Sequence, residues 1–393
     1  MRHRGDAALL EYEEALDRCA LTADRLRVTP QEIETALARC APEYLSALKL
    51  AADRIRRFQE SILLRDPEPL VADGRMLGVR YSPVDSAGIY VPGGVAPLAS
   101  SLLMAAVPAR AAGVKRVIVA TPPRPDGSVS DDRLAAAAVA EVDEVYRMGG
   151  AQAVAAMAYG TESIRPVDFI AGPGSIYTTL AKREVFGRVG IEMLPGPSEV
   201  VILADATADP ELIAADLIAQ AEHNPGSSVL LTDDGDLAES VRDAVDLQLA
   251  DLPRSAEAWE CLAEYGGAVV CRSMDECIAL TNELAPEHLQ IVTEDPDAVA
   301  RGVRHAGAIF LGPWTPVAVG DYIAGPSHVL PTSTTARFSS GLSANDFLKR
   351  SSLIRYDRNA LAADAHDVTL LASAEGLEGH ARSVTRRLAR PES

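Results

Sequence analysis

Four of the seven histidines in this 393-residue chain sit in short polar clusters beside glycine or proline: Gln220-Ala-Glu-His223, Pro286-Glu287-His288, Gly325-Pro-Ser-His328 and Glu375-Gly-Leu-Glu-Gly-His380. Imidazole changes charge near neutral pH and is also a common metal ligand. Gln220 and His223 are three apart at the end of a predicted helix that Asn224, Pro225 and Gly226 stop. Such residues share a helix face, so both could reach one metal ion. Asp321 could complete a mixed nitrogen and oxygen site with His380. Yet most Q-x-x-H pairs are merely polar helix ends, and without CxxC or HExxH the spacing does not establish a metal. Glu287-His288 opens a predicted strand and offers two bases suited to different tasks. A charged start to a strand reads the same way. His3, His305 and His366 have no such setting and read as surface residues.

Composition narrows the partners. The formal charge of −19 argues against DNA or RNA, which need a cationic face. The first residues, MRHRGDAALLEYEEALDR, read as a charged amphipathic helix and not as a signal peptide. No apolar stretch approaches the roughly 20 residues of a membrane span. Cys19, Cys40, Cys261, Cys271 and Cys277 are scattered and odd in number, which suits cytosolic thiols better than a disulfide framework. A soluble, cytoplasmic protein is expected, with no nucleic acid or membrane partner.

The elements that must position the polar clusters follow from hydrophobic pattern. Helical periodicity fills roughly residues 6–18 and 30–66, the second stretch opening with Thr29 as cap and Pro30 at the first helical position. Short apolar runs then appear at 116–120, 144–146, 167–170, 200–203, 229–232, 268–271, 289–292 and 308–311, mostly separated by alanine-rich segments of helical length. Residues 122–132 read as a surface loop. The alternation predicts an α/β fold of two Rossmann-like parallel-sheet domains with a helical C-terminal appendage. One domain combines residues 1–89, with the N-terminal helices, and 198–342; it holds the base pair and most polar clusters. The second spans 90–197, and residues 343–393 form the C-terminal arm. Glycine clusters at 90–94, 148–152 and 171–175 fall where strand meets helix. None is the GxGxxG dinucleotide fingerprint, although such turns suit a ligand crevice.

Taken in order, these clusters resemble the histidinol dehydrogenase family. The matching stretches are GIYVPGGVAPLASSLLM (88–104), RMGGAQAVAAMAYGTESI (147–164), FIAGPGSIYTTLAKREVFG (169–187), GPSEVVILAD (196–205) and LIAQAEHNP (217–225). LAPEHLQI (284–291), GAIFLGPWTPVAVGDYIAGPSHVLPTSTTARFSSGLS (307–343) and AEGLEGHARSV (374–384) complete the set, so the likeness runs from residue 1 to about 386.

The resemblance implies zinc-dependent, NAD-linked oxidation of L-histidinol to L-histidine through L-histidinaldehyde, the last step of histidine biosynthesis, with two NAD consumed. Family zinc ligands carry over to Gln220, His223, Asp321 and His380, for one zinc per subunit that orients the substrate. His288 is implied as the base for the alcohol and Glu287 as the activator of water for the aldehyde. Ser198, His328 and Glu375, together with the zinc ligands and His288, match substrate-contacting positions, and Tyr90, Gln152 and Ser175 match NAD-contacting ones. Ser175 departs from the family's usual asparagine and lacks the amide's paired donor and acceptor. The chain begins at the family's R-x-x-G-D motif (RHRGDAA), without the helical segment that precedes it in relatives; either the start codon lies elsewhere or the dimer is less interlocked. A homodimer with a shared active site is implied, His380 crossing to its partner. Residues alone leave room for a relative acting on another small alcohol, such as a sulfonated diol, for a zinc hydrolase using Glu287, or for a non-catalytic binding module. The complete ligand and base set favours histidinol.

Overall fold

The computed structural model describes residues 1–93, 98–223, 226–250, 252 and 255–390. Parts of two expected features, Gly94 of the first glycine turn and Asn224-Pro225 after His223, lie outside the described residues. The chain divides into two compact units, one of Met1–Ile62 with Val84–Phe347, the other of Leu63–Pro83 with Leu348–Ser393.

The larger unit contains two five-stranded parallel sheets. The first runs Glu144–Arg147, Arg116–Thr121, Ser86–Tyr90, Phe169–Ala171, Gly190–Ile191 across its width. The second runs Gly266–Val270, Gly226–Thr232, Ser198–Ala204, His288–Val292, Ala308–Leu311. In both, the chain winds out to the third strand and returns to place the fourth beside the first. Parallel strands covered on both faces need near-continuous apolar runs. Val200, Ile202, Leu203, Leu289 and Ile291 supply them, all buried. All eight apolar runs marked in the sequence are strands or overlap them.

Two strands carry no such run. Ser86–Tyr90 lies at the centre of the first sheet, fully buried, with alanine and glycine where valine or isoleucine would be expected. Gly88 is required there, because a Cβ would sit 2.5 Å from the Met157 sulfur. The boundary drawn at 89/90 therefore falls inside this strand. Leu9, Leu21 and Leu26 of the N-terminal segment join the core of the first sheet with Tyr146 and Met157, rather than packing with residues 198–342.

Thr29 caps its helix as expected: its side chain accepts from the Glu32 amide while Glu32 accepts from the Thr29 amide at 2.9 Å. The long helix expected over 30–66 is two, Pro30–Arg39 and Pro42–Ile62, because Pro42 can start a helix but not continue one.

The smaller unit corrects the expectation of a purely helical C-terminal arm. Leu70–Ala72, Arg75–Pro83 and Leu348–Tyr356 form an antiparallel sheet before helices Arg358–Ala374 and Glu378–Leu388. Asp73 and Gly74, both at positive φ, make the tight hairpin joining its first two strands. Arg75 holds Asp364 through Nε at 3.1 Å and Nη2 at 2.5 Å, tying sheet to helix. Among the described residues no helix is long and apolar enough to cross a membrane.

Candidate active site

In open α/β sheets ligands usually bind outside the carboxyl ends of the strands at the switch point. The first sheet follows that rule here, while the second contributes the opposite, N-terminal edge of its strands. At the N-terminal edge of the second sheet, Ser198 begins one central strand and His288 the next. Pairing of His288 with Val200 brings Glu287 beside Ser198 and Glu199. Glu287 Oε2 accepts from Ser198 Oγ at 2.6 Å and from the Glu199 amide at 2.9 Å. In return the Glu287 amide donates to Glu199 Oε1 at 3.2 Å, and the Ser333 amide donates to the same oxygen at 3.0 Å. Burial raises the pKa of Glu199, helped by the Glu287 charge and opposed by the Ser333 amide. Glu199 escaped the sequence reading, although its place next to Ser198 in GPSEVV was a signal.

His288 is buried, and its Nδ1 sits 3.1 Å from the Glu199 carbonyl oxygen. A carbonyl only accepts, so Nδ1 carries the proton and Nε2 keeps its lone pair. That Nε2 is buried without a hydrogen-bond partner among the described residues, 3.8 Å from Asp321 Oδ1. Burial pushes the His288 pKa down, but the Glu287 and Asp321 carboxylates outweigh it and the net direction is up.

His328 has both ring nitrogens engaged, Nδ1 donating to the Asp321 carbonyl at 2.9 Å and Nε2 accepting from Ser101 Oγ at 3.0 Å. Burial lowers its pKa, against the raising effect of Asp321. Asp321, in the last turn of Val317–Tyr322, is thus held against both histidines. Ser101, unmarked in the sequence, fixes the ring of His328.

Ser198, His223, Glu287, His288, Asp321 and His328 line one cavity of about 470 Å³. Its other wall includes Pro92, Pro173 and Gly174, which follow the central strands of the first sheet at their C-terminal ends. Gly172 allows that wall to close: at φ +119°, a Cβ there would meet the Tyr90 carbonyl at 2.1 Å.

Gln220 is buried in the last turn of Pro210–Ala221, and its side-chain Nε2 has no hydrogen-bond partner among the described residues. Amide oxygen and nitrogen are interchangeable by a flip, so this unsatisfied group can present an oxygen to a cation. Gln220, His223 and Asp321 thus supply donor types that fit zinc. Glu375 and His380 are exposed and belong to the smaller unit. Among the described residues no three His, Cys, Asp or Glu side chains gather as a metal cage. All five cysteines are free thiols.

A second cavity of about 680 Å³ shares Pro92 with the first and is lined by Tyr90 and Ser175. Gln152 is buried behind it, donating from Nε2 to Glu13 Oε1 and Asp17 Oδ2, each at 3.0 Å. Glu13, wholly buried on the N-terminal helix, is pushed up to about 8 by burial and by Asp17. Neither carboxylate was marked in the sequence, where both look like the polar face of an amphipathic helix.

Residues 1–388 match the family model for histidinol dehydrogenase. The histidinol dehydrogenase of a Synechococcus species is 51% identical over 388 residues, covering 98% of this chain and 89% of the relative. That of Cereibacter sphaeroides is 51% identical over 391 residues, covering 99% and 90%. The crystal structure of histidinol dehydrogenase from Elizabethkingia anophelis superposes with a TM-score of 0.93 at 36% identity, covering 98% of this chain and 88% of that one. An acetylating aldehyde dehydrogenase from Geobacillus thermoglucosidasius, at 13% identity and a TM-score of 0.53, shares the fold alone.

Proposed function

The chain belongs to the histidinol dehydrogenase family of oxidoreductases, and from that premise we propose that it oxidises L-histidinol to L-histidine through L-histidinaldehyde in the cytoplasm. The observation that carries this reading is His288: Nδ1 is fixed by the Glu199 carbonyl, while Nε2 is buried, unpartnered among the described residues and beside Asp321. A base so held accepts one proton at one defined atom.

In the first half-reaction the substrate hydroxyl gives its proton to His288 Nε2 as the carbinol C–H leaves as hydride. The cavity lined by Tyr90 and Ser175 would hold NAD, which would supply the hydride acceptor. Glu287 then serves the aldehyde. Its hydrogen bonds among the described residues fall on Oε2, which leaves Oε1 to take a proton from water as the water oxygen adds to the carbonyl, while protonated His288 returns its proton to the carbonyl oxygen and is free again as a base. The resulting diol gives a second proton to His288 as its C–H leaves as a second hydride, for which a second NAD would be the acceptor. The balance is one alcohol, one water and two NAD giving one carboxylic acid, two NADH and two protons.

Gln220, His223, Asp321 and His380 would hold zinc, which when bound acts as a template orienting the substrate's reacting carbon. Ser198 and His328, both lining the cavity, would contact the substrate, with Glu375 joining them. His380 is assigned to a two-fold homodimer in which it completes the partner's metal set. A panel of small alcohols, including L-histidinol and a sulfonated diol, tested with NAD and zinc for NADH formation decides the substrate. Turnover of the sulfonated diol in preference to L-histidinol would overturn the proposal.

A further inference from the structure

Three helices begin at or behind the cavity of Tyr90 and Ser175. The amides at the start of Gly150–Tyr159 are already used: Gly149 N–H donates to Glu13 and Gly150 N–H to the Tyr90 hydroxyl, each at 3.0 Å. Ile176–Val185 begins directly after Ser175. The third, Asp131–Val139, has nine residues and Ser130 as its cap, yet the serine side chain makes no capping hydrogen bond. Ser130 is 5% exposed, its Oγ has no hydrogen-bond partner among the described residues, and it lines the cavity. Buried hydroxyls are nearly always paired. A helix start carries partial positive charge and free amides, the ordinary setting for a phosphate.

Arginine strengthens that setting. Arg133, in the first turn of the same helix, is 6% exposed and lines the same cavity, as does exposed Arg124. Burial, then the Arg124 charge, pushes the Arg133 pKa down. An anion in the cavity that both arginines line would relieve the buried charge of Arg133. Asp17 and Asp132 also line the cavity. Burial raises the pKa of Asp17 and takes its neighbour Glu13 to about 8, so Glu13 and Asp17 repel an anion less than two exposed carboxylates would.

We propose that Ser130, Arg133 and Arg124 form an anion site that takes a phosphate group of the dinucleotide. This rests on the reading of the cavity as the cofactor site. It gives the chain an anchor beyond Tyr90, Gln152 and Ser175, on the loop of residues 122–132 that reads in the sequence as plain surface.

Calorimetric titration of the full chain with NAD, NADP, ADP-ribose and nicotinamide riboside tests it. Ser130→Ala removes a hydroxyl without a hydrogen-bond partner among the described residues, and Arg124→Gln changes an exposed side chain, so both should fold; circular dichroism checks Arg133→Gln. Loss of a charge-assisted contact is expected to weaken NAD and ADP-ribose about ten- to a hundredfold in each arginine variant. Ser130→Ala should weaken them about threefold. Nicotinamide riboside, which has no phosphate, should bind all forms alike. Equal losses for NAD and NADP place the pyrophosphate in the site, and a loss confined to NADP places its 2′-phosphate there. NAD and NADP affinities unchanged in Ser130→Ala and Arg124→Gln overturn the site, while NADH formation from L-histidinol by the same preparations would leave the dehydrogenase reading standing. Binding of inorganic phosphate that these variants abolish, with no dinucleotide bound, would support the anion site and overturn the dehydrogenase reading.

Discussion

The side chain of His288 is oriented by the main chain of Glu199, whose carbonyl oxygen lies 3.1 Å from Nδ1. The two residues are on neighbouring strands, so the tautomer of the base is set by sheet register and not by a mobile side chain. Replacing Glu199 therefore leaves this contact in place, whereas shifting the register removes it.

Glu287 and His288 should divide the two half-reactions. Glu287→Gln should slow oxidation of supplied L-histidinaldehyde more than the alcohol step, and His288→Asn should impair both. Loss of a general base costs about 10²–10⁴-fold. Single-turnover NADH traces started from alcohol and from aldehyde separate the steps. A wild-type rate of aldehyde oxidation in Glu287→Gln would show that Glu287 does not activate water.

Metal removal should abolish turnover, and zinc should restore it. His223→Ala and Asp321→Ala should lose bound zinc and activity together, read by elemental analysis beside the NADH assay. Full activity in a preparation verified as zinc-free would take the metal out of the chemistry.

His380 should act across a two-fold dimer. Chains carrying His288→Ala and chains carrying His380→Ala, each inactive alone, would be unfolded together and reassociated. Acting in trans, each mixed dimer has one intact site and one doubly damaged site, so random pairing restores about a quarter of wild-type activity. No recovery, with mixed dimers verified by mass, would place His380 on its own chain's site.

Glu144 should stabilise the first sheet at neutral pH. Its carboxylate pairs with Arg116 at 2.8 Å, both side chains nearly buried. Burial works to raise its pKa, but Arg116 and Tyr146 outweigh it and hold it at about 2 against an ordinary 4.5. A depressed folded-state pKa adds stability above about 4.5 that is lost as pH falls towards about 2. Glu144→Gln should therefore cost about 2 kcal/mol at neutral pH, measured by denaturant unfolding, with the cost shrinking in acid. A cost independent of pH would contradict the assignment.

Much of this was legible in the sequence, and the rest was hidden for physical reasons. Val200–Leu203 and Leu289–Val292 announced themselves because parallel strands buried on both faces must be apolar. Ser86–Tyr90 did not, because Met157 packs closely on Gly88, which interrupts the apolar run with a residue that has no side chain. Leu348–Tyr356 is a largely exposed strand whose partner, Arg75–Pro83, lies far away in the sequence, so local pattern carried no signal of their pairing. At the site, the histidines stood out by type and setting, and so did their glycine and proline neighbours. Glu199 acts partly through its main chain, and Ser130 and Arg133 through burial beside a cavity, which only folding reveals.

The most direct test of the central claim is stoichiometry. With limiting L-histidinol, excess NAD and zinc, NADH and L-histidine are measured to completion on the same sample. The account predicts two NADH for every L-histidine formed and no accumulated aldehyde. One NADH per L-histidinol with aldehyde as the end product, or no NADH at all, would contradict it.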